Sequence, residues 1–150
     1  MNSGLKNSKW KEILCLGAVL AVVAATRITG IARADNIARD GTIYLTMAQE
    51  MFVAKPVETF NSYDYHPGYS IVIAGLARIT GASWPDGWIL VAQCISASMS
   101  ILTLLGVYYI TKTLFSQKTA LLSVMVFGLS MEFTKISCDV LSDSMSVAMA

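Results

Sequence analysis

Charge is what this sequence has least of. Only 14% of its 150 residues are Asp, Glu, Lys or Arg, where soluble domains carry about 25%. With 55% hydrophobic residues and a mean hydropathy of +0.57, that shortfall excludes an ordinary soluble domain. Eleven basic and ten acidic residues nearly cancel, so no basic surface points to nucleic acid. His66 is the only histidine, which excludes a His-rich metal site. The three cysteines, Cys15, Cys94 and Cys138, fall in or beside apolar runs without CxxC or Cys–His spacing; they read as small buried hydrophobes, not as disulfides or ligands. There is no P-loop, no GxGxxG after a strand, no HExxH and no supported Ser-His-Asp set. No cofactor is therefore assigned. Repeats, low-complexity tracts and flexible linkers are also lacking.

What the chain does have is apolar runs. The first, Ile13 to Ala25, follows Lys6, Lys9 and Lys11. That shape fits a cleavable signal peptide, with an apolar stretch of about 7–15 residues. It equally fits an anchor continuing to Ile31, whose nineteen residues at about 1.5 Å each give roughly 28 Å, close to the hydrocarbon thickness. The anchor is the preferred reading because later spans keep the protein in the membrane. Arg27, near the far end, is expected to snorkel to the interface. Gly87 to Thr111 offers twenty-five uncharged residues between Asp86 and Lys112, roughly 37 Å of helix. Trp84 and Trp88 at one end and Tyr108-Tyr109 at the other suit interfacial aromatic belts. A third helix is expected over 119–137 and a fourth begins near Val140, where the run stops without a cap or closing charge. The fold expected is all-α: a polytopic membrane protein with helices over about 12–32, 87–111 and 119–137, and the N-terminal portion of something longer.

Lysine placement sets an expected orientation. Lys6, Lys9 and Lys11 place the N-terminus in the cytoplasm, as Lys112 and Lys118 do for the turn after the second span. Residues 33–85 then form an extracytoplasmic loop, and Glu132 to Asp143 lies on the same side. Within the loop, Ile43, Met47 and Met51 recur every four residues, as do Tyr44, Ala48 and Phe52. This pattern predicts a surface helix whose stripe faces lipid or the bundle, ended by Pro56. The run from Pro67 to Ala77 is too short to span, so an interfacial or re-entrant helix is expected, closed by Gly81.

Two groups of residues in this loop could carry chemistry: Arg39-Asp40-Gly41-Thr42-Ile43-Tyr44 and Tyr65-His66-Pro67-Gly68-Tyr69. Asp40 precedes the striped helix, where its bland role is an N-cap; Asp35 is an equally exposed rival. His66, before Pro67, is held extended, and on its own reads as a loop histidine. Glu132, Asp139 and Asp143 fall on the same expected side as Asp40, with a helix cap at Asp143 as their ordinary use.

Together with Leu141-Ser142-Asp143-Ser144, these motifs resemble the start of the GT-C membrane glycosyltransferases, near the protein O-mannosyltransferase and aminoarabinose transferase group. Members carry an acid in the first outer loop, a His-Pro-Pro or Lys-Pro-Pro turn after it, and a further Asp beyond the third helix. This chain has Gly68 where the second proline is usual and Gly41 where a second acid often sits. The resemblance implies inverting transfer of a sugar from a polyprenyl-phosphate donor to a lipid, glycan or protein acceptor at the outer membrane face. It implies Asp40 as catalytic base, His66 at the leaving phosphate, and Arg39, Tyr44, Tyr69 and Asp143 as substrate-binding residues. The 150 residues alone are expected to be inactive. Two other classes compete: a non-catalytic polytopic protein (a transporter or an assembly subunit), and an exported protein with residues 1–32 removed. Against a transporter, Gly87 to Thr111 shows no ionisable group besides Cys94, Tyr108 and Tyr109.

Overall fold

In a computed structural model, residues 3–34, 37–53, 62–140 and 143–149 are described, and among them the secondary structure is helical throughout. Asp35, Pro56 and Leu141-Ser142 lie outside the described residues. The helices are α1 (Ser3–Ala32), α2 (Arg39–Val53), α3 (Gly68–Thr80), α4 (Asp86–Leu114), α5 (Gln117–Gly128), α6 (Met131–Cys138) and α7 (Asp143–Met149). Two stretches, Trp10–Ala32 and the whole of α4, are long and apolar enough to cross a membrane. This matches the expected all-α membrane class.

The helix ends follow local chemistry. Ser116 and Ser130 cap α5 and α6 by accepting from the N–H groups of Thr119 and Phe133. Gly81 ends α3 at φ 65°, a left-handed conformation that other residues rarely adopt, and its N–H bonds the carbonyl of Ala77. That termination is where the sequence places it. The expected helix over 119–137 is instead two helices, α5 and α6, meeting at 63°. The reason is local: Ser130 starts a new helix by capping it, immediately after Gly128 and Leu129 end the previous one.

α4 is the spine. Its N-terminal half packs against α2 and α3 around Tyr44, Leu45, Ala48, Tyr69, Ile73, Trp88, Ala92 and Ile95. Its C-terminal half packs against α1 and α5 around Val23, Leu104, Tyr108, Ala120 and Val124. α2 and α3 run parallel, since Ser70 bonds the carbonyl of Tyr44 and Arg78 lies over the ring of Phe52, eight residues further along each helix. The stripe on α2 therefore faces the bundle. α7 packs against α4 and α6.

Three sequence expectations change in this packing. Trp88 is buried, edge-on to both Phe52 and Trp84, and Tyr108 is buried with its hydroxyl donating to Glu12 at 2.6 Å. Only Trp84 and Tyr109 keep the exposure an interfacial belt needs, because α2 covers one end of the spine and α1 the other. Cys15 and Cys94 are exposed, and of the three cysteines Cys138 alone is buried. Arg27 does not snorkel. It is 1% exposed and turned inward, donating to Thr134 Oγ1 at 2.6 Å and to the Gly128 carbonyl at 2.8 Å, with its guanidinium over the Phe133 ring. The break between α5 and α6 explains this. Carbonyls at the end of α5 lack intrahelical partners, and a planar cation with five donors meets that need inside the protein.

Candidate functional site

Asp40 lies in the first turn of α2, exposed, with its carboxylate on the helix end where backbone N–H groups favour negative charge. The N-cap position belongs to Ala38, whose carbonyl accepts from Thr42 N–H at 3.2 Å. An alanine offers no side-chain acceptor. The neighbouring acid that does accept here is Asp139, which takes the Ala38 N–H at 3.1 Å and the Val140 N–H at 2.7 Å on the same oxygen.

The two loop motifs of the sequence meet at this helix start. Tyr65 donates its hydroxyl to Asp40 Oδ1 at 3.1 Å. Its ring stands edge-on to Tyr44 at 5.4 Å, and Tyr44 stands edge-on to Tyr69, also at 5.4 Å, the perpendicular arrangement that ring quadrupoles favour. Tyr69 donates to the Ala92 carbonyl at 3.0 Å and shares a 2.8 Å bond with Ser96 Oγ. Ser70 donates to the Tyr44 carbonyl at 2.9 Å. A continuous run of contacts thus leads from the exposed Asp40 carboxylate down to the spine.

The electrostatics follow from these bonds. The hydrogen bond to the Asp40 carboxylate raises the pKa of Tyr65, and the nearby charge of Arg39 opposes that rise. Burial pushes Tyr69 up to about 12, its bond with Ser96 partly offsetting the effect. Both hydroxyls are therefore protonated donors at neutral pH.

Of the expected site residues, Asp40 and Arg39 are exposed at the start of α2, and His66 is exposed in the loop beside Tyr65. Tyr44 and Tyr69 are only 7% and 2% exposed. Both are packed in the core between α2, α3 and α4 and present little surface outward. Asp143 is exposed at the start of α7, which packs mainly against α4 and also touches α6. Sequence reasoning missed two residues. Tyr65 stood inside the quoted motif, but nothing in its spacing pointed its hydroxyl at a residue twenty-five positions away. Asp139 was set only on the same side as Asp40, as an ordinary acid, and nothing local pointed its carboxylate at the Ala38 N–H.

Gly41 has a packing reason. A Cβ there would stand 2.6 Å from the Val140 carbonyl oxygen, so a second acid cannot follow Asp40 unless the 139–140 backbone moves. Between α3 and α4 lies an open apolar groove of about 620 Å³, lined by Val72, Leu76, Leu90, Val91, Ile95 and Met99 among others. Among the described residues, no three His, Cys, Asp or Glu side chains converge as a metal site would require. No protein family, curated protein or solved structure matches the chain.

Proposed function

We propose that the chain forms part of a membrane glycosyltransferase that moves a sugar from a polyprenyl-phosphate donor to an acceptor hydroxyl, with inversion at the anomeric carbon. The observation that carries this reading is the Tyr65–Asp40 hydrogen bond. It joins the two polar loop motifs and fixes an exposed carboxylate at a helix start. In the proposed step, the acceptor O–H gives its proton to Asp40 as its oxygen bonds the anomeric carbon. The bond from that carbon to the phosphate oxygen breaks, and polyprenyl phosphate leaves. A carboxylate is ionised at neutral pH and can serve as base. Arg39, next to Asp40 in the chain, and His66, next to Tyr65, are both exposed and meet the charge that develops on the leaving phosphate. The groove between α3 and α4 offers an apolar surface for part of the lipid tail.

The reading includes an orientation, with the N-terminus cytoplasmic and residues 33–85 outside, motivated by the lysines flanking the two long apolar stretches. Single cysteines from Ser62→Cys and Gln117→Cys, in a background lacking the native three, test it with an impermeant thiol reagent added outside. Labelling of 62 alone supports the orientation, and labelling of 117 alone overturns it.

The chemistry is tested by Asp40→Asn in the intact protein, assayed for sugar transfer with expression and thermal stability measured alongside. An amide cannot take the acceptor proton, so turnover should fall by roughly 10²–10⁴-fold. The shape of the side chain, and its capacity to accept from Tyr65, are kept. Unchanged transfer would remove Asp40 as the base, and a wild-type protein without transfer would leave the non-catalytic polytopic reading.

A further inference from the structure

Asp139 joins two backbones that the chain separates by a hundred residues. Its carboxylate holds the N–H of Ala38, the residue whose carbonyl opens α2, and the N–H of Val140. On the other side of the same contact, Gly41 lies close enough to Val140 that a Cβ would meet the Val140 carbonyl oxygen and Cβ at 2.6 and 2.9 Å. Residues 38–41 and 139–140 thus touch at backbone level on both flanks of Asp40. The 139–140 segment is itself fixed. It continues directly from α6, which Arg27 bonds through Thr134, and the Cys138 thiol donates to the Arg27 carbonyl at 3.5 Å while packing against Gly30. Asp139 also lies close enough to Tyr69 for its charge to disfavour the phenolate. This puts it within electrostatic reach of the tyrosine run that ends on Asp40.

We propose that Asp139 is a positioning residue for Asp40: by holding the start of α2 against the end of α6, it sets where the Asp40 carboxylate stands over the site. The proposal rests on the reading of Asp40 as the base. Asp139 needs only an acceptor oxygen for this role, since both of its observed partners are backbone N–H groups. Charge and proton transfer are not required of it, which separates it from Asp40.

The experiment compares Asp139→Ala with Asp139→Asn in the intact protein in lipid nanodiscs, by amide hydrogen exchange and by sugar transfer. Asp139→Ala removes the acceptor, and exchange at residues 38–42 should rise about ten- to a hundredfold, as expected for loss of a charge-assisted hydrogen bond. Turnover should fall at least about tenfold, with donor KM unchanged, because a misplaced base costs rate and not donor binding. Asp139→Asn keeps an acceptor and should restore both within about threefold. Unchanged exchange in Asp139→Ala would overturn the anchoring. Raised exchange with full turnover would overturn the positioning. Loss in Asp139→Asn as deep as in Asp40→Asn would make Asp139 a chemical participant instead. A wild-type protein without transfer overturns the transferase reading and the positioning role with it, while the exchange measurement still decides whether Asp139 anchors α2.

Discussion

Along α4, the residues from Trp88 to Ser96 meet α2 and α3 through an aromatic edge and hydroxyl bonds, whereas around Leu104 the contacts with α1 and α5 are mostly aliphatic, with the Tyr108–Glu12 bond at their far end. The first contact is directional. Tyr69 has one arrangement that satisfies Ala92 and Ser96 together, and such bonds fix rotation and register as well as separation. The second contact depends on shape and close approach, the usual basis of helix association in lipid. Arg27 stands at the border, supplying directional bonds to the α5–α6 break beside the aliphatic cluster. The half that carries Asp40 and the tyrosine run is therefore held mainly by directional contacts, whereas in the other half the Tyr108–Glu12 bond closes an otherwise aliphatic contact. The other half acts as a packed stem.

If that contrast is right, deleting volume should harm the stem most and deleting single polar atoms should harm the other half. Leu104→Ala, at a fully buried position beside Val23, should cost about 2–5 kcal/mol in unfolding from detergent micelles. A cost below that range would mean that the stem repacks freely. Arg27→Ala leaves the Gly128 carbonyl without its donor and should cost about 1–3 kcal/mol, with faster amide exchange across Ser130 to Thr134. A similar penalty for Gly41→Ala, about 1–3 kcal/mol, follows from the clash with Val140 and should open the start of α2 without disturbing α5.

The smallest effect should come from Tyr69→Phe. It removes one hydroxyl from the bonded half and should cost about 0.5–1.5 kcal/mol, although the ring contact with Tyr44 survives. Equal losses in Tyr69→Phe and Leu104→Ala would erase the comparison. The wild-type protein offers a check on the same group by pH. Burial raises Tyr69 from 10.0 to about 12, so the folded state holds its proton where the unfolded chain releases it. The stabilisation is fully present below pH 10 and is lost as pH rises toward about 12. Urea midpoints taken across that window should fall less in Tyr69→Phe than in the parent.

Much of the frame was legible beforehand. The long apolar run of α4 needed no partner to be recognised, because crossing length depends on composition and helical rise alone. Gly81 closed α3 as read, since a glycine after the last periodic residue is itself the signal. The stripe on α2 showed its apolar face but not what covers it. The break at Ser130 is not visible locally because the apolar run extends to Met131, and a serine near its end looks the same whether one helix continues past it or a second helix is capped by it.

By itself the sequence determined the helical class, the position of the spine and the loop in which polar groups gather, because hydrophobic length, periodicity and termination are properties of neighbouring residues. Tertiary packing is what turns Arg27 inward, buries Tyr44 and Tyr69, and brings Asp139 and Tyr65 to the start of α2. Each of these depends on an acceptor, a donor or a covering face supplied from far along the chain. A side chain's partner across such a distance is set by how the helices pack, which no local pattern encodes.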